Sequence, residues 1–247
     1  MTLDKNKRNI RFTIVDNKSN FIIKPQSEIF QPLPENEDLC MHLAAELSIQ
    51  TAKHSLIKLS SGNLAYITQR FDRKNDIKLA SEDLCQLSEK QTEHKYRGSY
   101  EKTGKIIRKY SSQSGLDALN YFELVLLSFI IGNADMHLKN FSMLESLDRN
   151  FTLSPAYDLL STFLVIANKD KQMSLTINGK KNRIQLKDFD VLANSLSINE
   201  KQKENIYQKF IDKEMKIKWW IKNSFLPENH KQKLQDLIDV RMGMLRK

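Results

Sequence analysis

The stretch that most constrains this chain is "SGLDALNYFELVLLSFIIG", residues 114–132. From Leu124 to Ile131 only Ser128 is polar. A helix that is apolar all round has no face for water and must lie inside a fold. Ser114 is placed to cap its start and Gly132 to end it. The uninterrupted apolar run is shorter than the roughly 18 residues a membrane span needs, so the expectation is a buried helix. A chain of 247 residues with 40% hydrophobic content has enough material to cover it.

Around this helix the character of the sequence changes along the chain. "IRFTIVD" and "NFIIKPQ" are β-branched and aromatic and are separated by the turn-forming "DNKSN", which predicts a hairpin. "QPLPENED" breaks the run. Leu39, Leu43, Ala44 and Leu47 then recur at helical spacing. "HSLIKL" and "LAYITQRFDR" predict two further strands about "SSGN". Beyond residue 80, short helices alternate with polar loops, and "FSMLESLDRNFTLS" predicts two strands about "SLDRN". Two amphipathic helices, "NEKQKENIYQKFIDKEMKIKWWIKN" and "PENHKQKLQDLIDVRMGMLR", close the chain. The expected architecture is α+β and bilobal, with a β-rich N-lobe over residues 1–75 and a larger, mainly helical C-lobe over 76–247.

The long helix runs straight into "NADMHLKNF", where Asp135, His137, Lys139 and Asn140 crowd a single turn. A carboxylate fixed at the end of a rigid helix suits a general base. An amide oxygen five residues later suits a hard cation. A lysine between them suits the charge of a phosphoryl group. Asp-x-x-x-x-Asn is the spacing of the protein-kinase catalytic loop. Such a loop requires a second metal carboxylate after a short hairpin, and Asp158 in "SPAYDLLS" stands there. It also requires a strand lysine for phosphate and a helix acid to orient it, and Lys24 and Glu37 fit those places. "YITQRFDR" provides a linker whose backbone near Gln69 to Phe71 can accept adenine.

Charge and cysteine content narrow the setting. The net charge of +9 is spread over the whole chain rather than gathered in a stripe, and no zinc-finger, basic-zipper or RNP pattern accompanies it. The histidines form no pair at helical spacing, so no zinc site is expected from them. Cys40 and Cys85 lack ligand spacing and read as buried thiols of a reducing cytosol. The N-terminus has no apolar core, which argues against a secretory signal, and no membrane association is expected.

"IGNADMHLKNFSML" followed by "LSPAYDLLST" resembles the HipA-type kinases of bacterial toxin–antitoxin systems, as do "NFIIKP", "ENEDLCMHLAAEL", "QRFDR" and "EDLCQL…KYRGSYE". The resemblance spans essentially the whole chain. It is closest to the short HipT-type kinases of tripartite HipBST systems. It implies a fold of the HipA and phosphoinositide-kinase type, and a cytoplasmic serine/threonine protein kinase that uses ATP and Mg2+. The implied roles are Asp135 as base, Lys139 as phosphate-side cation, and Asn140 and Asp158 as Mg2+ ligands. His137, Leu138, Lys139 and Asn140 would lie along the ATP phosphates, with Lys24 holding phosphate and Tyr157 beside Asp158. Gln69, Arg70 and Phe71 would form the adenine linker, with Asp72 near the ribose. The family usually has Glu where Gln69 stands. The implied substrate is a protein, an aminoacyl-tRNA synthetase, whose phosphorylation inhibits translation. The implied partners are a small HipS-like antitoxin and a DNA-binding HipB-like antitoxin, with DNA reached only through the latter.

One departure bears on activity. The family's Gly-rich loop, of the pattern Ser-Gly-x-Gln-x-Lys, is not evident here, and no glycine precedes Gly62. Backbone amides of such a loop normally cradle phosphate. Either another polypeptide supplies it, the start is truncated, or phosphate is covered differently. A catalytically impaired pseudokinase serving as a binding module is therefore an alternative reading. A small-molecule phosphotransferase of related fold is another.

Overall fold

The computed structural model describes residues 2–6, 9–13, 19–74, 77–166 and 171–246. Strands β1 (Thr2–Asn6) and β2 (Asn9–Thr13) pair antiparallel as a separate two-stranded sheet. Strand β3 (Phe21–Pro25), helix α1 (Leu33–Glu46), β4 (His54–Lys58) and β5 (Leu64–Gln69) follow. β5 is the centre of a three-stranded antiparallel sheet, β3-β5-β4. Its residues Ala65 to Thr68 are buried, as expected of a strand with neighbours on both edges and a helix on one face. Tyr66 sits opposite both Lys24 and Leu56. The β4–β5 hairpin agrees with the sequence expectation. The hairpin expected between "IRFTIVD" and "NFIIKPQ" is not the pairing observed: β2 pairs with β1, and β3 with β5. Residues 14–16 of that expected strand lie outside the described residues. Turn chemistry marked a reversal there, but partner choice was settled by the buried strand β5.

The remaining strands are short. β6 (Arg73–Lys74) pairs with β7 (Ile77–Lys78). β8 (Ser81–Asp83) leads into helix α2 (Leu84–Leu87), whose first turn is closed by a reciprocal Asp83–Gln86 capping box. β9 (Ser142–Glu145) and β10 (Phe151–Leu153) form the hairpin that the sequence predicts, and β8 joins it as a third strand.

Helices α3 (Tyr100–Tyr110) and α4 (Ser114–Ile131) precede that hairpin. Helices α5 (Thr162–Val165), α6 (Leu186–Ser195), α7 (Glu200–Asp212), α8 (Glu214–Asn223) and α9 (Glu228–Gly243) follow it. α4 is the core helix, packed against α3, α6 and α9. Tyr121, Phe122, Val125 and Ile131 are fully buried. Its composition alone would suit a membrane span, but most of its length is covered by protein. Arg241 of α9 donates to the Phe129 carbonyl in its last turn, where positive charge complements the helix dipole.

Three local expectations are corrected. Ser114 is the first helical residue of α4, and Gln113 holds the cap position. The preceding turn is fastened by the buried Asp117, which accepts from Ser111 Oγ, Gln113 Nε2 and the Leu153 amide. The penultimate amphipathic run is two helices, broken at Lys213. No Gly or Pro marks the break. Lys213 and Trp220 both reach Glu46 of α1, and this contact turns α8 onto α1. Helix α6 was not foreseen. Its first turn is fastened by Asp188, fully buried, which accepts from Lys180, Asn178 and the Gln185 amide.

Gly132 closes α4 with φ +75°, the left-handed conformation at which glycine is the least strained residue. A Cβ there would meet Leu237 Cδ2 at 2.7 Å and Phe163 Cβ at 2.9 Å. Leu237 can give way, but Phe163 Cβ sits on the backbone. Gly132→Ala is expected to lower unfolding stability by more than about 1 kcal/mol, read from urea denaturation.

Candidate active site

A cleft of about 470 Å³ opens between the β3-β5-β4 sheet and the loops at the end of α4. At its sheet side, Lys24 leaves β3 and is held between two carboxylates. Its Nζ lies 2.8 and 3.0 Å from the Glu37 oxygens and 2.5 Å from Asp158 Oδ1. Burial of the ammonium favours its neutral form, but Glu37 and Asp158 outweigh that and raise its pKa. Glu37 is buried in the first turns of α1, and its carboxyl is pushed up to about 7 by burial, with Lys24 opposing. Glu35, Asn36 and Glu37 are tolerated in these turns because each has a specific partner. Glu35 takes the Gln26 amide at 2.8 Å. Asn36 exchanges two buried hydrogen bonds with the Ser161 backbone, at 2.9 and 2.8 Å.

That exchange ties α1 to the segment carrying Asp158. Asp158 itself has φ +57°, a conformation Asp tolerates better than most residues. Tyr157 is beside it, its hydroxyl 2.6 Å from Ser142 Oγ and donating to the Lys139 carbonyl at 2.8 Å. Burial pushes the Tyr157 phenol well above the usual range, so it stays protonated. Thr162 completes the fastening. Its hydroxyl donates to the Gly132 carbonyl at 2.9 Å and accepts from the Ala134 amide at 2.8 Å. The Asp158 segment and the Asp135 loop are thus locked to each other by one buried side chain. Thr162→Val keeps the shape but strands the Ala134 amide, while the Gly132 carbonyl keeps the Phe163 amide at 3.2 Å. It is expected to cost about 1–3 kcal/mol, measured by chemical denaturation.

Asp135 sits at the mouth of this arrangement, half-buried. Its amide donates to Asn133 Oδ1 at 3.1 Å, and its carbonyl accepts from the His137 amide at 2.8 Å and from Asn140 Nδ2 at 3.1 Å. The Asn140 side chain is buried, and this bond points its amide nitrogen at the backbone and leaves the oxygen as the available donor atom. Tyr96 Oη donates to Asp135 Oδ1 at 2.7 Å. Burial first, and the Asp135 carboxylate second, push the Tyr96 phenol up to about 12. His137 is buried with Nδ1 lacking a partner among the described residues. Its imidazole is pulled down by burial, against the opposing charges of Asp135 and Asp158.

The other expected site residues divide. Lys139 faces the cleft, 3.6 Å from Asp83 Oδ2 and 3.4 Å from Thr92 Oγ1. Leu138 does not line it. Its side chain is buried in the core and its amide donates to the Lys95 carbonyl, so it can offer only its own carbonyl to a ligand. Gln69, Arg70, Phe71 and Asp72 all border the cleft. The amides of Gln69 and Arg70 are committed to the Lys53 and Asn20 carbonyls. The Phe71 ring packs at 5.2 Å from that of Tyr157. The Asp72 carboxylate is bridged by Arg70, at 2.9 and 2.8 Å, and by Arg73; against burial, Arg70 first and Arg73 second hold it below the ordinary carboxylate range. Asp72 therefore organises the linker from within.

Three contributors were not singled out in the sequence. Thr162 and Asn36 act across the fold on partners far along the chain. Tyr96 lies in the basic "HKYRGSY" stretch, part of the family resemblance, in which no single residue is marked out by spacing.

A small antiparallel sheet with one helix, a helical lobe built on α4, and two polar loops facing the cleft between them define a bilobal α+β fold of the protein-kinase-like class. The chain matches the family model of the HipA-like C-terminal domain over residues 4–219, and it belongs to that family. Two proteins of Sinorhizobium fredii (strain NBRC 101917 / NGR234) are similar in sequence. "Putative kinase Y4dM" is 32% identical over 163 residues, which is 61% of this chain and 39% of that protein. "Putative kinase Y4mE" is 31% identical over 178 residues, 68% of this chain and 41% of that one. This chain thus spans about two fifths of their length. In three dimensions it resembles HipA of Shewanella oneidensis MR-1, solved in complex with HipB and operator DNA. The TM-score is 0.79 at 19% identity, over 100% of this chain and 64% of that one. The Helicobacter pylori proinflammatory kinase CtkA is a second structural relative, with a TM-score of 0.62 at 15% identity over 98% of this chain and 92% of CtkA.

Proposed function

We propose that the chain is the catalytic body of an ATP- and Mg2+-dependent serine/threonine protein kinase, the toxin of a toxin–antitoxin system. The observation that carries this reading is Lys24 suspended between Glu37 and Asp158 in the cleft, on a frame that Asn36, Ser161 and Thr162 lock to the Asp135 loop. The donor set suits the ligands. Asp158 and the Asn140 side-chain oxygen are hard donors of the kind Mg2+ takes. Lys24 and Lys139 offer cationic contacts to phosphate, and His137 Nδ1, without a partner among the described residues, a polar one. Mg2+, when bound, neutralises charge on the phosphates.

The chain's own residues supply the rest. Asp135 accepts the proton of a serine or threonine hydroxyl, and Tyr96 holds its carboxylate toward the cleft mouth. Lys24 binds phosphate and is positioned by Glu37. Asp72 orders the linker at Gln69 to Phe71 against which a nucleobase packs. The HipA-like membership, and the HipB complex of its structural relative, support antitoxin proteins as partners, DNA contact through the antitoxin, and a cytoplasmic setting. The proposed substrate is an aminoacyl-tRNA synthetase, and the consequence is arrest of translation. Incubating the chain, alone and with its operon neighbours, with labelled ATP, Mg2+ and a panel of purified synthetases should label one of them. Labelling of none, with other proteins labelled, would leave the kinase and remove the substrate class.

A further inference from the structure

The sequence offers no pair of histidines at helical spacing, yet the fold brings two imidazoles and a carboxylate to one point. Asp38 and His42 lie one turn apart on α1, and His54 opens β4. His42 Nε2 stands 3.6 Å from Asp38 Oδ1, and His54 Nε2 stands 3.9 Å from the same oxygen. The three potential ligand atoms all lie within 4.8 Å of one another. These separations are too long for hydrogen bonds. Asp38 Oδ1 and His54 Nε2 are both buried, with no hydrogen-bond partner among the described residues.

The tautomer sharpens the point. The His54 side chain is 6% exposed, and its Nδ1 lies 3.1 Å from the Ala52 carbonyl. A carbonyl only accepts, so Nδ1 carries the proton and Nε2 presents a lone pair. That lone pair faces a carboxylate oxygen. Two acceptors turned toward each other in a buried site call for a cation between them. Neutral imidazoles are the form that binds metal. A carbonyl holding the far ring nitrogen is the usual support of a ligating histidine.

We propose that Asp38, His42 and His54 form a binding site for a divalent transition-metal ion of the zinc class. Two imidazoles and one carboxylate favour such an ion over Mg2+ or Ca2+. Tetrahedral ligands at about 2.0–2.2 Å from zinc stand roughly 3.3–3.6 Å apart. The two observed separations from Asp38 Oδ1 therefore need to contract by only a few tenths of an ångström. Three protein ligands leave a fourth position for water.

The site has consequences on both sides. It joins α1 to β4 one residue beyond Glu37, so an ion would brace the turn that holds Lys24. It is also read out by α8, because the His42 ring stacks on Trp220 at 4.4 Å with 10° between planes. The site is separate from the cleft carboxylate Asp158, and it stands whether or not the chain is a kinase.

The test is a titration of the metal-free full chain with Zn2+ by calorimetry, with Co2+ as a spectroscopic probe. One equivalent should bind, the Co2+ complex should show the visible bands of a four-coordinate nitrogen and oxygen site, and Trp220 fluorescence should change. Asp38→Asn and His42→Gln should each weaken binding about tenfold or more, whereas Asp158→Asn and His230→Gln should not. His42 is partly exposed, so His42→Gln retains the fold even if His54 variants do not. Absence of binding to the unaltered chain would overturn the proposal. So would equal affinity in Asp38→Asn and His42→Gln, or loss on Asp158→Asn alone.

Discussion

Asp135→Asn is expected to reduce phosphate transfer by about 10²–10⁴-fold, the range contributed by a positioned base. Nucleotide affinity should remain within about twofold, because the Asp135 side chain contacts Tyr96 rather than the cleft wall. The substitution is nearly isosteric, and the loop is held by bonds that do not involve this carboxylate. Asn133, Asn140 and Thr162 grip backbone atoms of the loop. Tyr96 can still donate to the amide oxygen that replaces the carboxylate. A loss of rate without a loss of binding or stability therefore separates a chemical role from a structural one. It is measured as the initial rate of labelled phosphate transfer at saturating ATP, alongside calorimetric ATP affinity.

Lys24→Met should have the next largest effect, a fall of about 10²–10³-fold in transfer, as for removal of one preorganised donor to developing charge. Here ATP affinity should fall as well, because Lys24 lines the cleft. The electrostatics change in a definite direction. Lys24 is the cation that opposes burial at Glu37, whose carboxyl burial already pushes up to about 7. Without it, Glu37 should stay protonated to higher pH. The Asp158 carboxylate, 2.5 Å from Nζ in the unaltered chain, should lose its anchor. Carbon-13 NMR of labelled glutamate side chains can follow the Glu37 titration directly. A variant that transferred phosphate at the unaltered rate would remove Lys24 from the site.

Much of this site was legible before folding, and the reasons are physical. Asp135 and Asn140 share one turn, so a five-residue spacing fixes their geometry. Asp158 follows a hairpin short enough to read. Lys24 and Glu37 end a strand and begin a helix, and the sheet and helix bring them to 2.8 Å. What could not be read are the bonds between distant segments. Asn36 and Ser161 are 125 positions apart, and neither has a local signature. The hairpin expected for residues 10–26 failed because strand partners are chosen by the buried sheet. The break at Lys213 carries no Gly or Pro, since it is imposed by Glu46. The metal site held a partial signal. Asp38 and His42 are a mixed ligand pair at helical spacing, not a histidine pair, and His54 joins them only through the β4 register.

On the proposed function, the cleft moves a phosphoryl group rather than only holding a nucleotide. The direct measurement is transfer of label from γ-labelled ATP with Mg2+, by the chain supplied with its operon neighbours, followed by mass-spectrometric location of the phosphate. Label is expected on serine or threonine of a protein acceptor, and its loss in Asp135→Asn at matched nucleotide occupancy. Tight ATP binding with no transfer to any protein, or transfer that persists undiminished in Asp135→Asn, would contradict it.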